Sequence, residues 1–199
     1  METSEIVKLI KRRKDIIFRK LKEDKESLDS YIFISSEFKK GNIRTNVRFR
    51  QKYKEFYVMT AAGLTQTFFD KYFQLLEDRE TDLRKILRVL SRIPRRKGDY
   101  AVELSFATKL IHTIDNNSPI FDSNVAKVFG LTLKPIKDLD RKIEDRVHTY
   151  ELLKSKFKML LKNPEIQEII SDFKERLGVN INDVKMLDFI LWKLGEDLG

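Results

Sequence analysis

Apolar side chains recur three and four positions apart along most of this chain, the spacing that places them on one face of an α-helix. Residues that favour helix starts and ends stand between these stretches, as with Asn163-Pro164 before one and Gly130 and Gly178 after two others. The pattern predicts helices over residues 4–22, 46–59, 64–76, 81–93, 105–114, 122–129, 138–162, 164–178 and 182–194.

One stretch does not fit this spacing. Residues 31–34, Tyr-Ile-Phe-Ile, form an apolar run so short that it is compatible with a strand or with a buried helix. Aromatic residues at helical spacing fill the predicted helices 46–59 and 64–76, and we interpret them as core, although one of them lining a cleft would be able to stack on a base. The expected fold class is therefore all-α.

Length and composition are compatible with one domain. The chain has 199 residues, of which 41% are hydrophobic, enough to form a core. Within this single helical domain, residues 1–199, two lobes are expected. One comprises about residues 1–80 with part of the C-terminal helices, and the other is a hairpin lobe of about residues 81–135.

The charge is strongly basic, with a formal net charge of +9. Such a surface favours polyanions, although a Lys-, Ile- and Asn-rich composition of the genome would also produce the excess. Residues 11–14 form a basic run that we interpret as a solvated helix face. The segment Arg84–Lys97 differs, because it holds seven basic and no acidic residues, whereas solvated faces usually mix both signs. We expect it to contact nucleic acid through Arg88, Arg92, Arg95, Arg96 and Lys97.

Several classes of site are excluded. The chain has no cysteine, so disulfides, thiolate catalysis and cysteine-bound zinc or iron–sulfur clusters are ruled out. Two histidines are too few for a histidine-rich metal site, and we expect no metal and no cofactor. No apolar run reaches the ~20 residues of a membrane span, and no signal peptide is evident. A soluble, cytoplasmic protein without a membrane partner is expected.

The segment Glu103–Gly130 carries the most specific pattern. Ser105-Phe106-Ala107 is followed by one residue and then Lys109, and the run from Asp122 to Val128 reads Asp-Ser-Asn-Val-Ala-Lys-Val. This resembles the core of the helix-hairpin-helix DNA glycosylases, the superfamily of 8-oxoguanine glycosylase and endonuclease III. In that family a Gly-x-Gly hairpin precedes the lysine, and an Asp-Thr-His-Ile-x-Arg-Val pattern opens the next helix. Ser105 and Ala107 stand where the family has glycines.

The resemblance implies a fold and a chemistry. The fold would be a two-lobed helical bundle like that of these glycosylases. Lys109 would be the nucleophile of a base-excision glycosylase with abasic-site lyase activity, and Asp122 would stabilise the cationic sugar. Ser105, Thr108 and Asn124 would contact the nucleic acid. The partner would be duplex DNA with a damaged base flipped into a pocket.

Simpler interpretations stay open for the same residues. Lys109, with Ser105 and Thr113, would lie on the wet face of an amphipathic helix, and Asp122 would be an N-terminal helix cap. For the whole protein the alternatives are a non-catalytic nucleic-acid-binding protein on the same scaffold and a helical protein-interaction module. The sequence does not decide whether the protein is an enzyme.

Overall fold

The computed structural model describes residues 2–198, and over these residues the chain is all-α, with ten α-helices and no strand. The predicted fold class is thereby confirmed. No helix within residues 2–198 combines the length and the apolar composition that crossing a membrane requires. The helices are α1 (Thr3–Glu23), α2 (Lys25–Lys40), α3 (Val47–Phe56), α4 (Gln66–Glu77), α5 (Leu83–Leu90), α6 (Leu104–Ile114), α7 (Ser123–Phe129), α8 (Leu139–Leu161), α9 (Pro164–Leu177) and α10 (Asp183–Glu196).

Local signals fix most helix ends, although α5 and α6 begin one or two residues from their predicted starts. Residues 31–34 lie inside α2, so the ambiguous apolar run is helical. Helix α5, predicted from residue 81, begins at Leu83 after its cap Asp82, whose carboxylate accepts a hydrogen bond from the Lys85 amide at 3.2 Å. Helix α6 begins at Leu104, one residue before its predicted start, with Glu103 in the cap position.

The chain forms two compact units. The first contains the residues up to Lys25, Asn116–Pro135 and the residues from Asp145 onward, and the second contains Glu26–Asp115 and Ile136–Glu144. Helix α8 therefore begins in the second unit and continues in the first. The hairpin lobe expected at about residues 81–135 is divided between the units after Asp115.

The second unit has an aromatic core. Phe49 and Tyr53 of α3 and Tyr72 and Phe73 of α4 are completely buried, which confirms that the aromatic stripes of these helices are core. Their rings meet edge to face or tilted, with 5.5 Å between the ring centroids of Tyr53 and Phe73. Such pairs add about 0.5–1.5 kcal/mol each beyond the burial of their area. This core supports one side of α6, the helix of Lys109.

The first unit is built around α10, which packs against α1, α7 and α9. Most of its apolar side chains from Met186 to Leu194 are buried, together with Ile6, Ile10 and Ile17 of α1. The basic run of α1 forms surface ion pairs here, because Lys11 pairs with Glu165 of α9 and Arg13 with Asp197 at 3.0 Å. These pairs lie on the surface, as expected of a solvated face.

Candidate nucleic-acid interface

The helical part of the basic segment Arg84–Lys97 is neutralised by the start of α8. The Arg84 guanidinium donates two hydrogen bonds to the Glu144 carboxylate, at 2.8 and 2.9 Å, and Arg88 donates to Asp140 at 2.8 Å. The hydrogen bonds from Arg84 hold the pKa of Glu144 below its ordinary value. The positive charge that is unopposed in the sequence of α5 is therefore opposed in space.

Two further arginines of the segment hold the loop between α5 and α6. Arg95 pairs with Glu103 and, at 3.6 Å, with Asp99, and its amide donates to the Asp99 carbonyl at 2.8 Å. Arg96 donates from its amide to the Gly63 carbonyl at 2.8 Å and from Nε to the Leu64 carbonyl at 3.0 Å. Both side chains thus have structural roles, so fewer of their N–H groups are available to a nucleic acid than the sequence predicts.

A basic pocket remains where α5 ends. It has a volume of about 410 Å³ and lies wholly within the second unit. Its lining contains three cations, a tyrosine and no acidic residue, and consists of Ser91, Arg92, Tyr100, Ala101, Val102, Lys137, Leu139 and Lys142. Arg92, Lys137 and Lys142 form no ion pair with any residue of the described chain, and Tyr100 is 63% exposed. We call this site the Tyr100 pocket.

Of the nucleic-acid contacts expected from the basic segment, only Arg92 lines this pocket. Lys97 is exposed and forms no ion pair among residues 2–198. Sequence analysis missed Tyr100, Lys137 and Lys142. The lysines stand about 45 to 50 residues after Arg92, and they share a pocket with it because the start of α8 lies beside α5, where Arg84 pairs with Glu144 and Arg88 with Asp140. Tyr100 stands three residues after Lys97, and this proximity to the basic segment is the one signal in the sequence.

Lys109 is buried, so the interpretation that places it on a wet helix face is wrong. Only 8% of the residue is exposed. Its amine donates to the Tyr57 carbonyl at 3.4 Å and lies 5.1 Å from the centre of the Phe106 ring and 5.6 Å from that of Tyr57. A carbonyl oxygen and two aromatic faces attract an ammonium group while they shield it from water. This is a site that holds the amine in one place.

Hydroxyl groups brace the same helix. Tyr72 donates to the Phe106 carbonyl at 2.9 Å, and Thr113 donates to the Lys109 carbonyl at 2.8 Å. The Tyr53 hydroxyl lies 3.0 Å from that of Tyr72 and 3.1 Å from that of Thr113. Because the other two hydroxyl protons point at carbonyls, Tyr53 can donate to only one neighbour at a time. Burial raises the pKa of both tyrosines and keeps them neutral.

Ser105 and Thr108 lie in the first turns of α6, so Ser105-Phe106-Ala107 is helical. Serine and alanine are compatible with a helix, whereas the glycines of the family pattern disfavour one. Thr108 is completely buried, and its hydroxyl donates to the Ser105 carbonyl at 3.1 Å. Ser105 is half-buried and is the more accessible of the two.

Asp122 lies in the first unit and caps α7, as expected. Its Oδ1 accepts a hydrogen bond from the Asn124 amide at 2.9 Å, and Gly130 ends the helix with a φ of +65°. The residue is partly exposed. The backbone of Asn124 approaches α10 so closely that a Cβ on Gly195 would lie 2.5 Å from the Asn124 carbonyl carbon. Asp122 is thus held by its cap bond and by the close backbone contact between Asn124 and Gly195.

Lys109 belongs to the second unit and Asp122 to the first, and their action as a pair stays a prediction. Comparisons with models of protein families, with curated proteins and with solved structures find no match to this chain.

Proposed function

We propose that the protein binds nucleic acid and that the Tyr100 pocket holds its phosphates. The observation that carries the proposal is the lining of that pocket, in which three cations lie without an acidic residue. Lysine and arginine that neutralise phosphates release counterions, and this release supplies most of the affinity for nucleic acid. Arg84 and Arg88 already pair with carboxylates at the surface, so the proposal does not rest on them, and the expected contact of Arg88 with nucleic acid stays a prediction.

The test is duplex DNA binding as a function of salt. Wild-type protein is expected to bind at low salt, with an affinity that falls linearly on a log–log scale as salt rises. Replacing Arg92, Lys137 and Lys142 with Ser should reduce that slope by about 0.9 for each phosphate that the variant no longer neutralises. Arg95 and Arg96 are left unchanged in this variant because they hold the loop.

A matched control removes one positive and one negative charge outside the pocket. Arg88→Gln together with Asp140→Asn deletes one ion pair of α5 and α8 without changing the net charge, and it should leave the slope unchanged. Wild-type protein without affinity for DNA at low salt would exclude the proposal and favour a helical protein-interaction module. Equal slopes for the triple variant and the wild type would place the binding elsewhere.

We further propose, from the resemblance of Glu103–Gly130, that the DNA is a substrate for base excision in a helical fold like that of the glycosylases. The neutral Lys109 amine would attack C1′ of a flipped nucleotide. The glycosidic bond breaks, and the base departs with its electron pair and takes up a proton. Opening of the C1′–O4′ bond then leaves a Schiff base on the lysine. Asp122 would stabilise the cationic sugar, and the protein would act in the cytoplasm.

The fixed position of the Lys109 amine supports this chemistry, because the Tyr57 carbonyl and two aromatic rings hold it in one place. The same contacts favour the ammonium form, so loss of a proton has to precede the attack. Borohydride should trap the protein covalently on DNA that carries an abasic site or a suitable damaged base. Lys109→Gln should abolish the adduct and leave binding intact, while Lys127→Gln, which removes an exposed lysine of α7, should change neither. An adduct that persists in Lys109→Gln would show that another lysine reacts. Failure to form any adduct across several lesions would leave non-catalytic binding.

A further inference from the structure

The Tyr100 pocket combines its cations with an aromatic ring that the rest of the second unit does not cover. Tyr100 is 63% exposed, and Leu139 beside it is 40% exposed, whereas most other aromatic residues of this unit lie in the core. Exposure of an apolar ring face to water is unfavourable. A partner that stacks on the ring removes this face from water and so gains free energy.

The first unit offers a comparison. A groove of about 640 Å³ there is also basic, since Lys154, Lys158 and Lys162 line it. Its one aromatic residue, Phe157, is only 1% exposed, and the acidic Glu151 also lines it, 3.1 Å from the Lys154 amine. That groove attracts anions by charge alone and presents no ring face. The Tyr100 pocket has both components that a nucleotide needs.

We infer that the Tyr100 pocket takes an unpaired nucleotide, whose base stacks on Tyr100 while Arg92, Lys137 and Lys142 hold the phosphates. The inference rests on the proposed nucleic-acid binding and names the part of the ligand that this site takes. In a duplex the bases are stacked on one another, so their faces are not available to a protein ring. Single strands present those faces, and proteins that bind them combine a basic groove with aromatic platforms. The volume of about 410 Å³ lies in the range of roughly 300–1,000 Å³ that small-molecule pockets have.

The experiment compares three labelled probes at one salt concentration. They are a single-stranded thymidine oligonucleotide, the duplex of equal length, and a strand in which tetrahydrofuran residues replace the nucleosides and cannot form a Schiff base. Wild-type protein should bind the thymidine strand more tightly than the tetrahydrofuran strand, which carries the same phosphates without bases. Tyr100→Leu should weaken binding of the thymidine strand by about five- to 150-fold, as loss of base stacking does. It should not change binding of the tetrahydrofuran strand.

Two further variants separate the possible outcomes. Tyr100→Phe keeps the ring and should bind as the wild type does, and Lys158→Ser with Lys162→Ser changes the other groove and should leave the thymidine preference intact. If Tyr100→Leu binds the thymidine strand as tightly as the wild type, the stacking inference is overturned, while a loss of binding in the triple pocket variant would still support the phosphate site. If the triple variant also binds normally, the proposed function fails as well. Since Tyr100 is largely exposed, a folding defect is not expected, and circular dichroism checks this.

Discussion

The two helices of the Glu103–Gly130 segment are held in place by different kinds of contact. Helix α6 depends on side chains, because the Tyr72 hydroxyl donates to one of its carbonyls, the Tyr53 hydroxyl contacts Thr113, and aromatic rings lie against the Lys109 amine. Helix α7 depends on its backbone, which is capped by Asp122 and Gly130 and packs directly on Gly195. The positions of Lys109 and Asp122 should therefore respond to different substitutions.

Close backbone packing leaves no room for adjustment, whereas a side-chain network can lose one member and keep the others. Helix α7 has seven residues, too few to be stable alone, so its position is set by its neighbours. Substitutions at the contact with α10 should therefore have the largest effects, and substitutions that preserve the cap should have the smallest.

The largest effect is expected from Gly195→Ala. The added Cβ would lie 2.5 Å from the Asn124 carbonyl carbon and still closer to its oxygen, and both are backbone atoms that cannot swing aside. Alanine favours a helix over glycine by about 0.8–1.0 kcal/mol, but overpacking costs about 1–3 kcal/mol or more. We expect net destabilisation, measured as the free energy of unfolding in urea. The control is Ser171→Ala on the exposed face of α9. If Gly195→Ala is as stable as the wild type, α7 is not held by this contact.

The sequence predicts what is local. Asp122 and Gly130 mark the ends of α7 because caps are determined within a few residues. The aromatic stripes of α3 and α4 predict core because burial follows from period and apolarity. The sequence around Gly195 does not predict its close contact, since a glycine inside a helical pattern does not show which backbone packs against it in the folded protein.

Charge and burial of polar groups were harder to predict for the same reason. Seven basic residues in Arg84–Lys97 read as unopposed, yet Glu144 and Asp140, some 50 to 60 residues later, neutralise Arg84 and Arg88. The alignment of Lys109 with Ser105 and Thr113 is compatible with a wet face, but Tyr53 of α3 and Tyr57 directly after it contact that face. The sequence pattern of one helix does not show which other element will cover it in the folded protein.

A smaller effect is expected when the hydroxyl network of α6 loses one member. Four contacts join the hydroxyls of Tyr53, Tyr72 and Thr113 with one another and with the carbonyls of Phe106 and Lys109. The three hydroxyls have only three protons, so three hydrogen bonds exist at once. Tyr53→Phe and Tyr72→Phe each leave two of them. Each variant should therefore lose about 1 kcal/mol of unfolding free energy, the usual contribution of one hydrogen bond. Thermal or urea unfolding measures both, and a Tyr53→Phe cost twice that of Tyr72→Phe would contradict the proton count.

The same tyrosines make α6 sensitive to alkaline pH. Burial raises the pKa of Tyr53 and Tyr72 in the folded protein, so both stay neutral while tyrosines of the unfolded chain ionise near pH 10. Below that pH the two states bind equal numbers of these protons, and stability is unaffected. As pH rises above it, the unfolded state loses protons first and stability falls. Urea unfolding across this range should show a shallower fall for Tyr53→Phe/Tyr72→Phe than for the wild type. An unchanged fall would assign the pH dependence to other groups, such as the lysine ion pairs.

The smallest effect on stability is expected from Asp122→Asn. Asparagine caps a helix about as well as aspartate, so α7 should keep its bond to the Asn124 amide, and the unfolding free energy should change by only a few tenths of a kcal/mol. Asp122→Ala removes the cap and should cost about 1 kcal/mol. If Asp122 acts on DNA as proposed, the asparagine variant keeps the helix but loses the charge that stabilises the cationic sugar. Base excision or adduct formation should then slow by a factor on the order of 10². If Asp122 is purely structural, Asp122→Asn should change neither the stability nor the reaction rate, and only Asp122→Ala should impair them.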